Sequence, residues 1–432
     1  MMDQSTGSLI GGLLRRSLGR SDDLRPDLVS VLDPGTEYVK ALVVQLEGDR
    51  AVVMGQGTDR HSEMPFERGT RAVDLRLKRA CDSALQQAED MTESVTAQKL
   101  VPDHVVLSFP SHMVQQGAFT VQQRRSSPGR EITVKELEQA FARAERLALQ
   151  QLAGQLGATR ANLSLVGSAI LDIKVNGRMV SDPLGFRGDT LSVTVFNALA
   201  QNQHIAIMER LAEHLELELL YLVSEEHVLA DCLPMQEAIA VNMGSMLTTL
   251  GWMQGGCPAT MMVIPYGGRH LTLRLASAFE LATDQAEALK LRYCVSHLDD
   301  DAAQAVREEL RPGIAEWLAR VESGLATVAG KRSLPPFIYL CGGGTDMPGL
   351  LEAARAFPWA QHLRFDRYPE IHLFGPGQIP GVFNRTGQVW GAEMTVAMAL
   401  ARWATRRKQA ATPLEEMLGR VIRKNIAVYA GG

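Results

Sequence analysis

Residues 238–268 carry no Asp, Glu, Lys or Arg, in a chain of 432 residues of which 22% are charged. A neutral stretch this long must leave water, either for a bilayer or for a protein core. A spanning helix needs about 20 mostly apolar residues in one run. This stretch is broken by Asn242, Thr248, Thr249, Gln254, Pro258 and Pro265, and Gly255-Gly256 separates its two apolar halves. Two glycines between apolar runs signal a hairpin. The stretch therefore predicts two buried strands, which other layers of the chain must cover.

Those layers read as mixed α/β. Strands are expected at 28–33, 38–46 and 51–54, then a helix over 73–88 and a strand at 105–109. Thr133 with Glu136 three residues on has capping-box spacing and opens an amphipathic segment through Leu156. Asn176-Gly177 within residues 169–180 is a hairpin signal. Strand and helix patterns continue over 190–196, 202–215 and 219–233. Beyond the neutral stretch come helices at 270–282, 284–293 and 299–328, a strand at 337–340, and a last helix over 391–405. A strand meander opens near 28 and again near 238, a coarse duplication. The 46% hydrophobic content excludes a disordered chain. With 44 Lys+Arg against 49 Asp+Glu, the net charge of −5 argues against nucleic-acid binding by whole-protein charge. The 5 cysteines are scattered without a CxxC pair, which fits a reducing compartment and no structural zinc. At the N-terminus Arg15 and Arg16 follow the apolar residues 9–14, the reverse of a secretory signal.

Three turns share one physical logic. Each follows a strand and is rich in Gly, Thr or Ser, so backbone N–H groups can approach an anion closely. The first is Asp33-Pro34-Gly35-Thr36, with Lys40 beyond; the second is Asn242-Met243-Gly244-Ser245; the third is Gly342-Gly343-Gly344-Thr345. The third opens a helix, whose N-terminus favours an anion.

The combination resembles the actin-like ATPase superfamily, and within it the bacterial division protein family FtsA. Residues 33–40 are similar to that family's phosphate-1 loop, and Gly342 to Leu350 resembles its adenosine loop. Residues 266–272 (YGGRHLT) resemble its strand–helix junction, and Ala286 to Lys290 its A-E-x-x-K helix, whose Glu and Lys face the nucleoside. Ser224-Glu225-Glu226-His227 sits where the family's connecting helix begins. Ser181 to Gly188 (SDPLGFRG) resembles the D-P-x-G-M-x-G motif that closes FtsA's inserted subdomain. The resemblance implies a two-lobed, ribonuclease-H-like α/β fold. Residues 28–100 and 184–235 would form lobe I, 101–183 an inserted SHS2-like module, and 236–400 lobe II. Residues 1–27 would be an N-terminal extension and 401–432 a basic linker with an amphipathic helix.

It also implies a cleft for ATP and Mg²⁺. Asp33, Gly35, Thr36, Lys40, Gly244, Glu287, Lys290, Gly342, Gly343, Gly344 and Thr345 would hold the nucleotide, with Asp33 reaching Mg²⁺ through water. The second turn departs from the family's D-I-G-G-G-T-T-D. Asn242 replaces the acid that helps to hold Mg²⁺, and its neutral oxygen weakens a hard-cation site. Met246 and Leu247 add bulk where backbone should approach phosphate. At most a weak ATPase is expected, and no residue is assigned as catalytic. Blander readings stand beside these. Asp33 can cap a turn; Glu287 and Lys290, at i,i+3, can form a surface ion pair; Asp182 can fix a bend; His227 and His270 can be polar helix-start residues.

Residues 401–432 hold seven Lys/Arg and two Glu. Thr412-Pro413-Leu414-Glu415 is a helix start. Leu414, Met417, Leu418, Val421 and Ile422 then follow helical spacing beside Arg420, Arg423 and Lys424. Such a basic amphipathic helix can lie on an anionic bilayer or dock on the body. Residues 9–20 are a rival membrane contact. The resemblance implies a cytoplasmic protein on the inner membrane that binds an FtsZ-like tubulin homologue and self-associates into filaments. The alternative is a PilM-like scaffold of a type IV pilus or envelope machine. A sugar or acetate-type kinase would need the acid that Asn242 lacks.

Overall fold

The structure is a computed structural model describing residues 27–61, 75–156, 162–388, 390–406, 413, 414 and 416–418. Two sheets form the lobes. In the first, β1 (Leu28–Pro34), β2 (Tyr38–Glu47) and β3 (Arg50–Arg60) run as an antiparallel meander. Parallel to β1 lies β4 (His104–Phe109), and parallel to that β9 (Glu218–Ser224). The second repeats the pattern with β10 (Glu237–Met243), β11 (Thr248–Gln254), β12 (Cys257–Ile264), β13 (Phe337–Cys341) and β14 (Glu370–Leu373). The expected two-lobed α/β duplication is present. The neutral stretch makes three strands where two were expected. The extra corner is a tight turn at Gly244–Leu247, closed by a Gly244 N–H to Leu247 O bond of 2.9 Å.

The strand β3 runs to Arg60, well past its expected end at residue 54, and carries Gly55 and Gly57. A Cβ at either would run into the carbonyl of Ala88 or Ala84 on α1 (Leu75–Thr96). The two glycines let helix backbone lie directly on strand backbone, which is what glycine inside a strand often marks.

The inserted module is a third sheet in the order β5-β8-β6-β7: β5 (Val114–Arg124), β8 (Thr190–Gln201), β6 (Leu163–Val175) and β7 (Arg178–Met179). The helix α2 (Val134–Leu156) packs on one face through Leu137, Phe141 and Leu152. Thr133 and Glu136 form the expected capping box. Asn176 and Gly177 both take positive φ (52° and 78°) at the expected hairpin. The boundaries differ from 101–183. Because β8 pairs with β5 and β6 on its two sides, the module reaches residue 201, while β4 belongs to lobe I. From β8 the chain returns through α3 (Asn202–His214) and β9 to α4 (Glu225–Cys232).

Lobe II is covered by α5 (Gly268–Ala278), α6 (Thr283–Cys294), α7 (Asp300–Ala329) and α8 (Leu350–Ala356), around Trp317, Leu310 and Leu325. It ends earlier than residue 400. The strand β15 (Val382–Asn384) pairs with β3, and α9 (Thr395–Arg406) buries Ala397, Met398, Leu400 and Ala401 against β1 and β2 of lobe I. The small side chains of α9 allow close packing on that sheet.

Candidate functional site

The strand ends of the two meanders face each other with matched registers. Asp33 pairs across β1–β2 with Lys40, and Asn242 pairs across β10–β11 with Thr249. In lobe I, Lys40 Nζ lies 3.2 Å from Asp33 Oδ2, and the Ser108 hydroxyl donates to Asp33 Oδ1 at 2.7 Å. Both Asp33 oxygens thus have partners within the chain.

Near Asp33 the first turn of α4 carries Glu226, buried, and Glu225, half-buried. The Ser111 hydroxyl reaches Glu225 Oε2 at 2.8 Å and makes a short contact with Glu226 Oε1. One hydroxyl carries one proton, so the two acids cannot both be satisfied by it as carboxylates. Burial first, then the charges of Asp33 and Glu226, push the Glu225 carboxyl well above its ordinary range. Burial also raises Glu226, against the opposing bonds from Ser111 and Gln116. Ser224 caps this helix by accepting from the N–H of His227. His227 itself is a core residue between the rings of Phe196 and Trp403, consistent with the helix-start reading.

The second turn is pinned to the junction after β12. Gly268 N–H donates to Gly244 O at 2.9 Å and Arg269 N–H to Ser245 O at 2.8 Å. His270 Nδ1 accepts from Gly267 N–H at 3.1 Å, so it closes a helix start, the blander role expected of it. Met246 N–H meets Thr36 Oγ1 of lobe I at 3.4 Å, and Gly244 N–H is taken by Leu247 O. Two amides expected to face phosphate are thus already directed to protein oxygens.

Between the first two turns lies Glu37, 3% exposed, which the motif reading passed over. Arg60 Nε and Nη2 donate to its Oε1 at 2.9 and 2.7 Å, Arg269 Nη1 at 3.0 Å, and the Ser245 hydroxyl makes a short bond to its Oε2. Arg60 also reaches Asp284 of α6 at 2.9 Å. Burial alone would raise the Glu37 carboxyl; Ser245, Arg60 and Arg269 outweigh it and hold the group below its ordinary value.

At the other end of the cleft, Lys290 Nζ donates to Glu287 Oε2 (2.7 Å), Thr272 Oγ1 (2.9 Å) and Gly268 O (3.3 Å). Glu287 and Lys290 are 5% and 8% exposed, so they are not a surface ion pair. Opposite stands the third turn. Gly342 has φ +87°, and its backbone rests on Asn242 and Met243. Thr345 Oγ1 donates back to Gly342 O at 2.8 Å, and Asp346 Oδ2 accepts from Ala392 N–H at 2.8 Å. The thiol of Cys294 is pushed to about 11 by burial, with Asp346 raising it and Lys290 opposing, so α6 and this turn are electrostatic neighbours.

The fit to a nucleotide is therefore incomplete. Of the residues expected at the nucleoside, Glu287 and Lys290 are bonded to each other and Thr345 to Gly342 O. The phosphate end is filled by protein partners, and Asn242 offers a neutral oxygen where an acid would serve Mg²⁺. Among the described residues no group of three or more His, Cys, Asp or Glu is arranged to hold a metal ion.

Asp182 accepts from Leu184 N–H at 3.0 Å and fixes a bend within the module. Of the C-terminal set, Arg420, Val421, Ile422, Arg423 and Lys424 lie outside the described residues, as do residues 1–26. Met417 and Leu418 were expected on a bilayer-facing stripe. They are instead 2% and 4% exposed, joined to the module's core beside Phe141 and Leu137, with Leu414 packed at its margin. An apolar stripe settles on whatever apolar surface meets it, and here the module supplies one. No described helix is long and apolar enough to cross a membrane.

No family model matches the chain. It is 23% identical over 380 residues to the cell division protein FtsA of Rhizobium meliloti (strain 1021), covering 79% of this chain and 82% of that protein. It is 23% identical over 358 residues to the FtsA of Neisseria meningitidis serogroup B, covering 76% and 80%. A solved structure titled as the PilM-PilN type IV pilus biogenesis complex superposes with TM-score 0.59 at 18% identity, covering 88% of this chain and 99% of that one. The chain is thus distantly similar in sequence to FtsA, and it shares a two-lobed fold with the PilM-PilN structure.

Proposed function

We propose that this distant FtsA relative is a membrane-attached, actin-like scaffold that recruits FtsZ-like polymers to the cytoplasmic face of the inner membrane and self-associates into filaments. The observation that carries the reading is the helix-and-sheet module inserted between β4 and β9, in a chain that aligns with FtsA over most of its length. In this reading ATP is held by its nucleoside at Glu287, Lys290 and the Gly342–Thr345 turn, and turnover is weak or lost. Attachment requires the C-terminal stripe to leave the module, since Met417 and Leu418 cannot face lipid while buried there. The experiment is co-sedimentation of the full chain with FtsZ on anionic liposomes. FtsZ is expected in the pellet only when the chain is present, and truncation after residue 406 is expected to abolish it. A chain that pellets with liposomes yet leaves FtsZ in solution overturns the recruitment.

The PilM-PilN similarity favours a second reading, a scaffold for a type IV pilus or envelope machine that holds the tail of a membrane protein. Capture of such a tail without FtsZ is the outcome that selects it.

A further inference from the structure

We propose that Glu37 is a built-in anion: its carboxylate fills a phosphate-type site formed by Arg60, Arg269 and Ser245, and so holds the two lobes together in place of a bound ligand. The carboxylate is buried, yet it is met by two guanidinium groups and a hydroxyl, the donor set that recognises phosphate oxygens as readily as carboxylate oxygens. Its donors come from both lobes. Arg60 stands at the end of β3 in lobe I, whereas Ser245 and Arg269, 208 and 232 residues beyond Glu37, stand in lobe II. The lobes are stitched at the same place by Met246 N–H to Thr36 and by Arg60 to Asp284.

The cluster is also balanced in charge. Glu37 and Asp284 match Arg60 and Arg269, so it is neutral as it stands and has no charge with which to attract a polyanion. Removing the Glu37 charge leaves two guanidinium groups without their buried counter-charge: Asp284 is largely exposed to water and the Asp59 carboxylate is turned to the Arg60 backbone N–H, so the pocket itself becomes positive. Acids elsewhere have partners of their own: Asp33 is paired with Lys40, and Glu225 and Glu226 meet the Ser111 hydroxyl. A phosphate chain can therefore enter only by displacing Glu37 from both arginines. The inference goes beyond the scaffold reading and stands apart from it, because it is read without FtsZ or membrane.

The test is calorimetric titration of the full chain with sodium pyrophosphate, and separately with ATP and Mg²⁺, comparing wild type, E37Q and E37A. Wild type is expected to show no saturable pyrophosphate binding at millimolar concentration and no rise in melting temperature with it. Both variants are expected to bind pyrophosphate roughly tenfold or more tighter than wild type. Adding R269A to E37A is expected to remove the gain. A gain for ATP without one for pyrophosphate would place the effect at the nucleoside and overturn the assignment. Wild type binding pyrophosphate as tightly as the variants, or folded variants that gain nothing, would also overturn it. The wild-type arm needs no variant: a clear upward melting shift with pyrophosphate is enough to reject the proposal.

Discussion

The corner of lobe I and the corner of lobe II stand at equivalent positions in two sheets of the same order, yet they differ in charge. The first carries Asp33, Glu37 and Lys40; the second carries Asn242, Ser245 and Thr249 in the corresponding meander. Of the two corners, that of lobe I holds the acids, and lobe II answers Glu37 with Arg269 and the Ser245 hydroxyl. The two frames are alike, and their polar groups differ so that one corner satisfies the other.

The largest effect is expected where backbone geometry, not charge, sets the corner. Gly342→Ala places a Cβ at φ +87° against the Asn242 side-chain oxygen and the backbone carbonyl of Met243. The cost is expected at about 3 kcal/mol or more, read as a fall in melting temperature. Gly35→Ala in lobe I meets Tyr38 O at 2.8 Å and the flexible end of Lys40 at 3.0 Å without positive φ, and should cost clearly less. Equal losses at the two glycines would mean that the corners are not so differently constrained.

Next comes the acid that joins the corners. The Glu37 carboxyl is held below its ordinary value, so its contribution is present above the unfolded value near 4.5 and is lost as pH falls through the lower folded value. The melting temperature of wild type should therefore fall more steeply than that of Glu37→Gln as the solution is acidified below about pH 5. The Glu225 carboxyl behaves oppositely. Its folded value is raised, so its stabilisation is full at low pH and is lost as pH rises through that value. Glu225→Gln removes the loss, and it should melt about 2 °C or more above wild type at pH 8 while the two converge near pH 4. A Gln variant that tracks wild type throughout would show that Glu225 and Glu226 are both ionised comfortably in place.

Much of this frame was legible in the sequence. The Gly and Thr turns, the Asn176-Gly177 hairpin and the Glu287–Lys290 spacing are local signals, and the elements that carry them lie where expected. The turn at Asn242–Ser245 was legible, but the strand count of the neutral stretch was not, because only Gly255-Gly256 carries a strong hairpin signal and the Gly244–Leu247 turn lacks Pro or Asn-Gly punctuation. The reach of the module to β8 and the return of α9 to lobe I are pairings between distant segments, which periodicity does not encode. The Glu37 cluster failed to show for the same reason: its partners lie 23, 208 and 232 residues away. One signal was available, an acid inside a turn otherwise suited to anions, and its sign alone marks it as out of place.

The smallest change is expected from restoring the missing acid of lobe II. Asn242→Asp puts a carboxylate across the ladder from Thr249, whose hydroxyl neighbours Glu226, and close to the buried pair at Ser111. Like charges gathered in a buried place raise one another's pKa, so the new acid should take up a proton more readily than an exposed aspartate and bring little net charge at neutral pH. Phosphate release from ATP should stay at the wild-type level, because Glu37 still fills the phosphate end. Combined with Glu37→Ala the outcome should change. A bound polyphosphate with its Mg²⁺ supplies the positive charge that keeps the introduced carboxylate ionised, so the double variant should bind pyrophosphate more tightly with Mg²⁺ than without, by more than the two single changes predict separately. Strict additivity in that cycle would mean that the two corners act independently, and that the difference between them is an accident of divergence with no coupling across the cleft.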